Sequence, residues 1–79
     1  MSHADEVRAR GLQVGDTIEG RELWSQTEWQ DTRLTLLWVG NTEAVWLESS
    51  RTSERPEWTQ PEESTGWSLE FRKWKKVTP

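Results

Sequence analysis

The sequence predicts an all-β fold: a small antiparallel meander, or a half-open SH3-like barrel, of about four strands with a short N-terminal helical turn. Three observations carry this reading. Apolar and β-branched residues gather in separated runs at 17–24, 33–39, 44–47 and 67–77. The pairs Gly15-Asp16 and Gly40-Asn41 stand where tight turns need a glycine or a short polar side chain. The chain has 79 residues, with only fourteen Leu, Ile, Val and Phe but seven Trp. That length allows a single domain, residues 1–79, whose core must be built largely from indole rings.

Each element follows from local pattern. Residues 1–10 are polar and read as a mobile N-terminus; Ser2 can cap a helical turn whose first residues include Asp5 and Glu6. Gly11 stops the turn, and Gly15-Asp16 feeds a strand from Thr17 to Trp24. Gly20 within that strand marks a bulge or a close approach. Residues 25–32 read as a polar loop containing Trp29. Arg33 to Val39, Gly40-Asn41 and Ala44 to Leu47 form the strongest signal, a β-hairpin with a tight turn. Strict alternation places Leu34, Leu36 and Trp38 on one face with Val45 and Leu47. The opposite face then carries Thr35, Leu37, Val39, Ala44 and Trp46. Two apolar faces require cover on both sides: the rest of the domain covers one, and another subunit, a long loop or a ligand the other, of which a subunit is favoured and a homo-oligomer expected. Residues 48–66 show no strand pattern and read as a long functional or flexible loop. The last strand runs from Trp67 to Val77; Trp67, Leu69 and Phe71 alternate, and a bulge near Arg72 or Lys73 would bring Trp74 and Val77 into phase.

Composition excludes several classes of function. Ten basic and fourteen acidic residues give a net charge of −4, which argues against bulk nucleic-acid binding. There is no cysteine and a single histidine, His3, so thiolate chemistry, cysteine or histidine metal sites and a serine–histidine triad fall away, and no cofactor is expected. The carboxylates, Glu62-Glu63 included, have no diagnostic spacing, so the chain is expected not to be an enzyme. No apolar run is long enough to cross a membrane, and residues 2–10 do not form a signal-peptide core.

Three clusters carry the functional reading. Among the seven tryptophans, Trp38, Trp46 and Trp67 fall in strand phase and suit the core, whereas Trp29 and Trp58 stand in polar surroundings where an indole can stack on a base. Ser50, Arg51, Ser53 and Arg55, followed by Trp58, place hydroxyls and guanidiniums close together, as a phosphate needs, with a ring beside them. Residues 67–79 carry four basic groups and one acidic; the run Arg72-Lys73-Trp74-Lys75-Lys76, with an aromatic among its cations, suggests a nucleic-acid contact, or serves as a protected edge strand, or adds to a phosphate site if strand and loop meet. The candidate ligand-binding residues are therefore Arg51, Ser50, Ser53, Arg55, Trp58 and Trp29.

The blocks VGDTIEGRE (14–22), RLTLLWVGNTEAVW (33–46), SERPEW (53–58) and ESTGWSLEFRKWKKV (63–77) resemble a group of short proteins of tailed bacteriophages and prophages. The resemblance implies a phage gene product acting in the host bacterial cytoplasm, and small phage proteins of this kind often block host defence. It transfers no residue role. Together these readings predict a non-enzymatic accessory protein whose homo-oligomer sequesters a small phosphate-bearing, nucleotide-type defence signal. The alternative is an inhibitor of a host bacterial protein acting through the apolar hairpin face or acidic surface. A third is a single-stranded nucleic-acid binder.

Overall fold

The computed structural model describes residues 2–69 and 73–77. One helix, α1 (His3–Ala9), precedes five strands: β1 (Thr17–Leu23), β2 (Trp29–Val39), β3 (Ala44–Thr52), β4 (Glu62–Thr65) and β5 (Trp74–Val77). They form one open antiparallel sheet in the order β4-β3-β2-β1-β5. The all-β meander with its short N-terminal helix is thus the observed architecture. It has five strands rather than four.

The central hairpin is present, but its faces differ from strict alternation. Leu36 stands opposite Trp46, whereas Trp38 stands opposite Val45, so β2 holds one extra residue at Leu37. This bulge turns Trp38 away and brings Val39 back toward the core. Leu34 and Leu36 therefore share a face with Ala44 and Trp46, not with Val45 and Leu47. All four are buried, with Ile18 of β1 beside them. Trp38 is 55% exposed and lies across Gly40, where a Cβ would meet its ring.

The inner face of the sheet takes its cover from α1, Leu12 and the segment ending at Leu69. Ala4, Val7 and Leu69 are fully buried, and Trp67 and Trp74 pack against the same cluster. A capping box of Ser2 and Asp5 starts the helix. The Asp5 carboxyl is held below its ordinary range, chiefly by the Ser2 backbone N–H. Trp46 Nε1 donates to His3 Nε2 at 2.7 Å. That bond leaves the proton of the neutral ring on Nδ1, 3.3 Å from the Glu6 carboxylate. The Arg8 guanidinium donates to the Gly40 carbonyl, and Arg10 Nη2 donates to Leu69 O at 2.7 Å.

The ends of the chain depart most from the pattern. Residues 48–66 are partly strand: β3 continues to Thr52, and β4 pairs with it from Val45 to Glu48. β4 is Glu-Glu-Ser-Thr, joined by backbone bonds without an apolar side chain of its own. The last strand begins at Trp74, not Trp67; Trp67 to Leu69 lie outside any strand. Phe71 and Arg72 fall outside the described residues; Lys73, the other position expected for a bulge, immediately precedes β5. No helix among the described residues is long and apolar enough to cross a membrane.

Gly20 is a site of close approach. It is buried opposite Trp74, and a Cβ there would sit 2.9 Å from the indole Cε3 and 3.1 Å from two further ring atoms. Gly20→Ala is expected to force the ring outward and loosen the β1–β5 edge, costing about 1–3 kcal/mol and lowering Tm by at least about 4 °C. Thermal unfolding followed by circular dichroism checks this, and an unchanged Tm would show that the ring moves without cost.

Candidate ligand-binding face

The register of the strands writes charge in rows across the outer face. In one row Lys75, Glu19, Arg33 and Ser49 stand side by side on β5, β1, β2 and β3. In the next, Arg21, Asp31 and Arg51 do so on β1, β2 and β3, and the row after that pairs Leu23 with Trp29. Opposite charges directly across neighbouring strands attract. Arg21 donates from Nε and Nη2 to the two Asp31 oxygens at 2.7 and 3.1 Å, and Arg51 Nε donates to Asp31 Oδ2 at 2.9 Å. Arg33 donates to Glu19 Oε1 from Nε at 2.7 Å and Nη2 at 2.5 Å.

Two indoles complete this layer. The Arg21 guanidinium lies 4.2 Å from the centroid of the Trp29 ring. Trp58 reaches over the face from the loop after β3, with Arg33 at 4.1 Å and Arg51 at 4.6 Å from its centroid. Arg51 is also 5.8 Å from the Trp29 ring, so it stands between the two indoles. Cations at such distances from a ring face are attracted by its quadrupole.

The loop that carries Trp58 is tied down at both ends. Thr52 N donates to Arg55 O at 3.0 Å, and Arg55 N donates to Thr52 Oγ1 at 3.0 Å. Thr59 N donates to Ser50 O at 2.9 Å, Ser50 N to Thr59 Oγ1 at 3.0 Å, and Ser49 Oγ to Thr59 O at 3.1 Å. Two open pockets result. One, about 520 Å³, has Arg51, Arg55, Pro56 and Trp58 in its lining together with the acidic Glu54 and Glu57. The other, about 250 Å³, is lined by Glu19, Gly20, Arg21, Asp31, Lys73 and Lys75, and again by Arg51. Arg51 is the wall common to both.

The sequence-selected residues are therefore divided. Arg51, Trp58 and Trp29 come together on the outer face. Arg55 joins the larger pocket through an exposed side chain. Ser53 is engaged elsewhere: its Oγ accepts from Trp29 N at 3.2 Å, and its N–H donates to Trp29 O at 3.1 Å. Ser50 lines the pocket but stands opposite Thr32, on the inner-face side of β3. Trp29 is the first residue of β2 rather than a loop residue, and its ring lies against Arg21. Arg21, Arg33, Asp31 and Glu19 were missed. Their signal was the opposite signs at matched distances from the β1–β2 turn. Lys73 and Lys75 share a pocket with Arg51, which lies on β3 rather than in the loop that follows it.

The arrangement favours charge recognition over acid–base chemistry. His3 belongs to the inner face, bound to Trp46. No cluster of three metal-ligating side chains occurs among the described residues. Asp31 is held below the ordinary carboxylate range, first by its hydrogen bonds from Arg21 and then by Arg51, against the opposing effect of burial. Arg21 is raised correspondingly by Asp31. No family model, curated protein or solved structure matches the chain.

A depressed carboxylate stabilises the fold where it is ionised. The Asp31 contribution is complete above the unfolded value near 4 and is lost as pH falls through the lower folded value. Asp31→Asn, which leaves two partly exposed guanidiniums without their carboxylate, is expected to cost about 0.5–2 kcal/mol at pH 7, from two pairs of modest strength each. Urea unfolding at pH 7 and at pH 3 checks this: the gap from wild type narrows at the lower pH. A gap equal at both would show that the carboxylate charge does not hold the row.

Proposed function

We propose that the chain is a non-enzymatic binding protein for a phosphate-bearing, ring-containing ligand of nucleotide type. The ring lies against Trp58 in the larger pocket, and a phosphate engages Arg51 and Arg55. The observation that carries this reading is the position of Arg51. Its Nε is fixed by Asp31, its plane lies near two indoles, and it walls both pockets. A guanidinium already oriented by a carboxylate loses little freedom when it binds an oxyanion. The pocket volume lies within the range of small-molecule sites.

The resemblance to short phage proteins supplies a setting for such binding. In an infected bacterium it would withdraw a nucleotide signal from the host cytoplasm. Self-association belongs to the same reading. The two open edges carry opposite charge, Glu62 and Glu63 on β4 against Lys75 and Lys76 on β5, which favours β4 of one copy beside β5 of another. A second reading, inhibition of a host protein, is favoured by one feature. Val14 and Trp38 are more than half exposed, and the backbone bonds of Leu36 with Gly15 and Asp16 bring Val14 to the same end of the sheet as Leu37 and Trp38.

Intrinsic Trp fluorescence and calorimetry against mononucleotides test the first reading. Saturable binding is expected, weakened at least about tenfold by Arg51→Ala and by Trp58→Ala while circular dichroism stays that of wild type. Absence of binding by any mononucleotide, or undiminished affinity in both folded variants, refutes the site. Loss of binding to a host protein on Trp38→Ala, with no nucleotide bound, selects the second reading.

A further inference from the structure

The cations of the outer face do not end at Arg51. Arg51 on β3, Arg33 on β2, Arg21 on β1 and Lys75 on β5 place one cation on each of four adjacent strands, and Lys73 stands at the start of β5. Four strands at about 4.8 Å spacing make a stripe about 14 Å across. A single phosphate cannot touch both ends of it. The two carboxylates within the stripe, Asp31 and Glu19, are already engaged by guanidiniums. Lys73 and Lys75 form no ion pair with a described carboxylate. The stripe thus keeps an excess of positive charge in a chain whose net charge is −4.

The face that carries the stripe is open. The helix, Leu12 and Leu69 lie on the inner side of the sheet. Among the described residues, the loop bearing Trp58 is what reaches over the outer side. A sheet face with cations on four adjacent strands, staggered over two rows, and an indole at one end matches a chain of repeated phosphates with unpaired bases. Duplex nucleic acid would hide its base faces from Trp58.

We infer that the outer face binds single-stranded nucleic acid, one base stacking on Trp58 and successive phosphates crossing Arg51, Arg21, Lys73 and Lys75. This rests on the Arg51–Trp58 site proposed above and extends it from one nucleotide to several. Arg33, paired to Glu19 and stacked on Trp58, positions the indole rather than taking a phosphate. The charge of the rest of the chain repels a polyanion, so it is admitted at this face alone.

Fluorescence titration with oligothymidylates of one to twelve nucleotides, at several salt concentrations, tests the inference. Affinity is expected to rise at least about tenfold between one and four nucleotides and then level off. The slope of log K on log salt for the longer strands is expected at about −2 to −3, from three or four phosphates neutralised. Lys73→Ala with Lys75→Ala, both exposed, is expected to make that slope shallower by about 1.4 and to weaken the longer strands at least about tenfold, while mononucleotide affinity stays unchanged. Mononucleotide binding with no gain in length overturns this inference and leaves the Arg51–Trp58 site standing. Oligonucleotide binding that the double variant does not alter also overturns it. Failure of every nucleotide overturns both. Equal affinity for poly-glutamate of matched charge overturns it in favour of an acidic protein partner.

Discussion

One extra residue at Leu37 decides which side of the sheet becomes the core. Without it, alternation from Leu36 would turn Trp38 inward and Val39 outward. With it, β2 delivers Leu34, Leu36 and Val39 to the inner face, where they meet Ala44 and Trp46. The smaller Val39 fits beside Ala44, and the large Trp38 is left to cover Gly40. Trp46 then occupies the middle of the core, fully buried, with its one polar atom bonded to His3. A buried indole N–H without an acceptor would be costly. The N-terminal helix is therefore attached to the sheet by a polar bond as well as by Ala4 and Val7.

A chain with so few aliphatic residues can cover one face of a five-stranded sheet and no more. The other face has to be stable in water, and the rows of alternating charge achieve that. Each pair is partly exposed, and such pairs contribute little individually. Their value is geometric: Asp31 holds two guanidiniums at once, Glu19 holds a third, and the indoles of Trp29 and Trp58 give all three a surface to lie on. Stability resides on the inner face, so the outer face can be shaped by recognition.

What the sequence revealed follows the same division. The Gly40-Asn41 hairpin was legible because turn chemistry and apolar runs coincide there. The bulge was not, because Leu36 and Leu37 are the same residue type and either can face inward. β4 was hidden because Glu62 to Thr65 join the sheet by backbone bonds that no side-chain pattern reports. Trp67 and Leu69 alternate like a strand yet pack as an irregular segment under the sheet, since burial alone satisfies them. At the candidate site, Arg51, Trp58 and Trp29 stood out as indoles and guanidiniums in polar surroundings. Arg21 and Arg33 did not, because assigning Trp29 to a loop opened the β1–β2 turn too far. Once Leu23 stands opposite Trp29, the pairs Arg21–Asp31 and Glu19–Arg33 follow by counting back.

The choice of cation along the stripe is itself informative. The three inner strands carry arginine, each held by a carboxylate and lying near an indole, whereas the edge strand and its start carry lysine. A planar guanidinium fixed at two sides presents its remaining N–H groups in a set direction, and a lysine ammonium on a flexible stem adapts to wherever a charge arrives. Orientation is therefore stronger at the three arginines than at Lys73 and Lys75. A ligand meeting this face would find its register at the Trp58 end and neutralisation of charge at the other. Edge lysines also keep β5 from pairing indiscriminately with other chains. The same two residues can thus guard the edge when the face is empty and extend the cation stripe when it is filled.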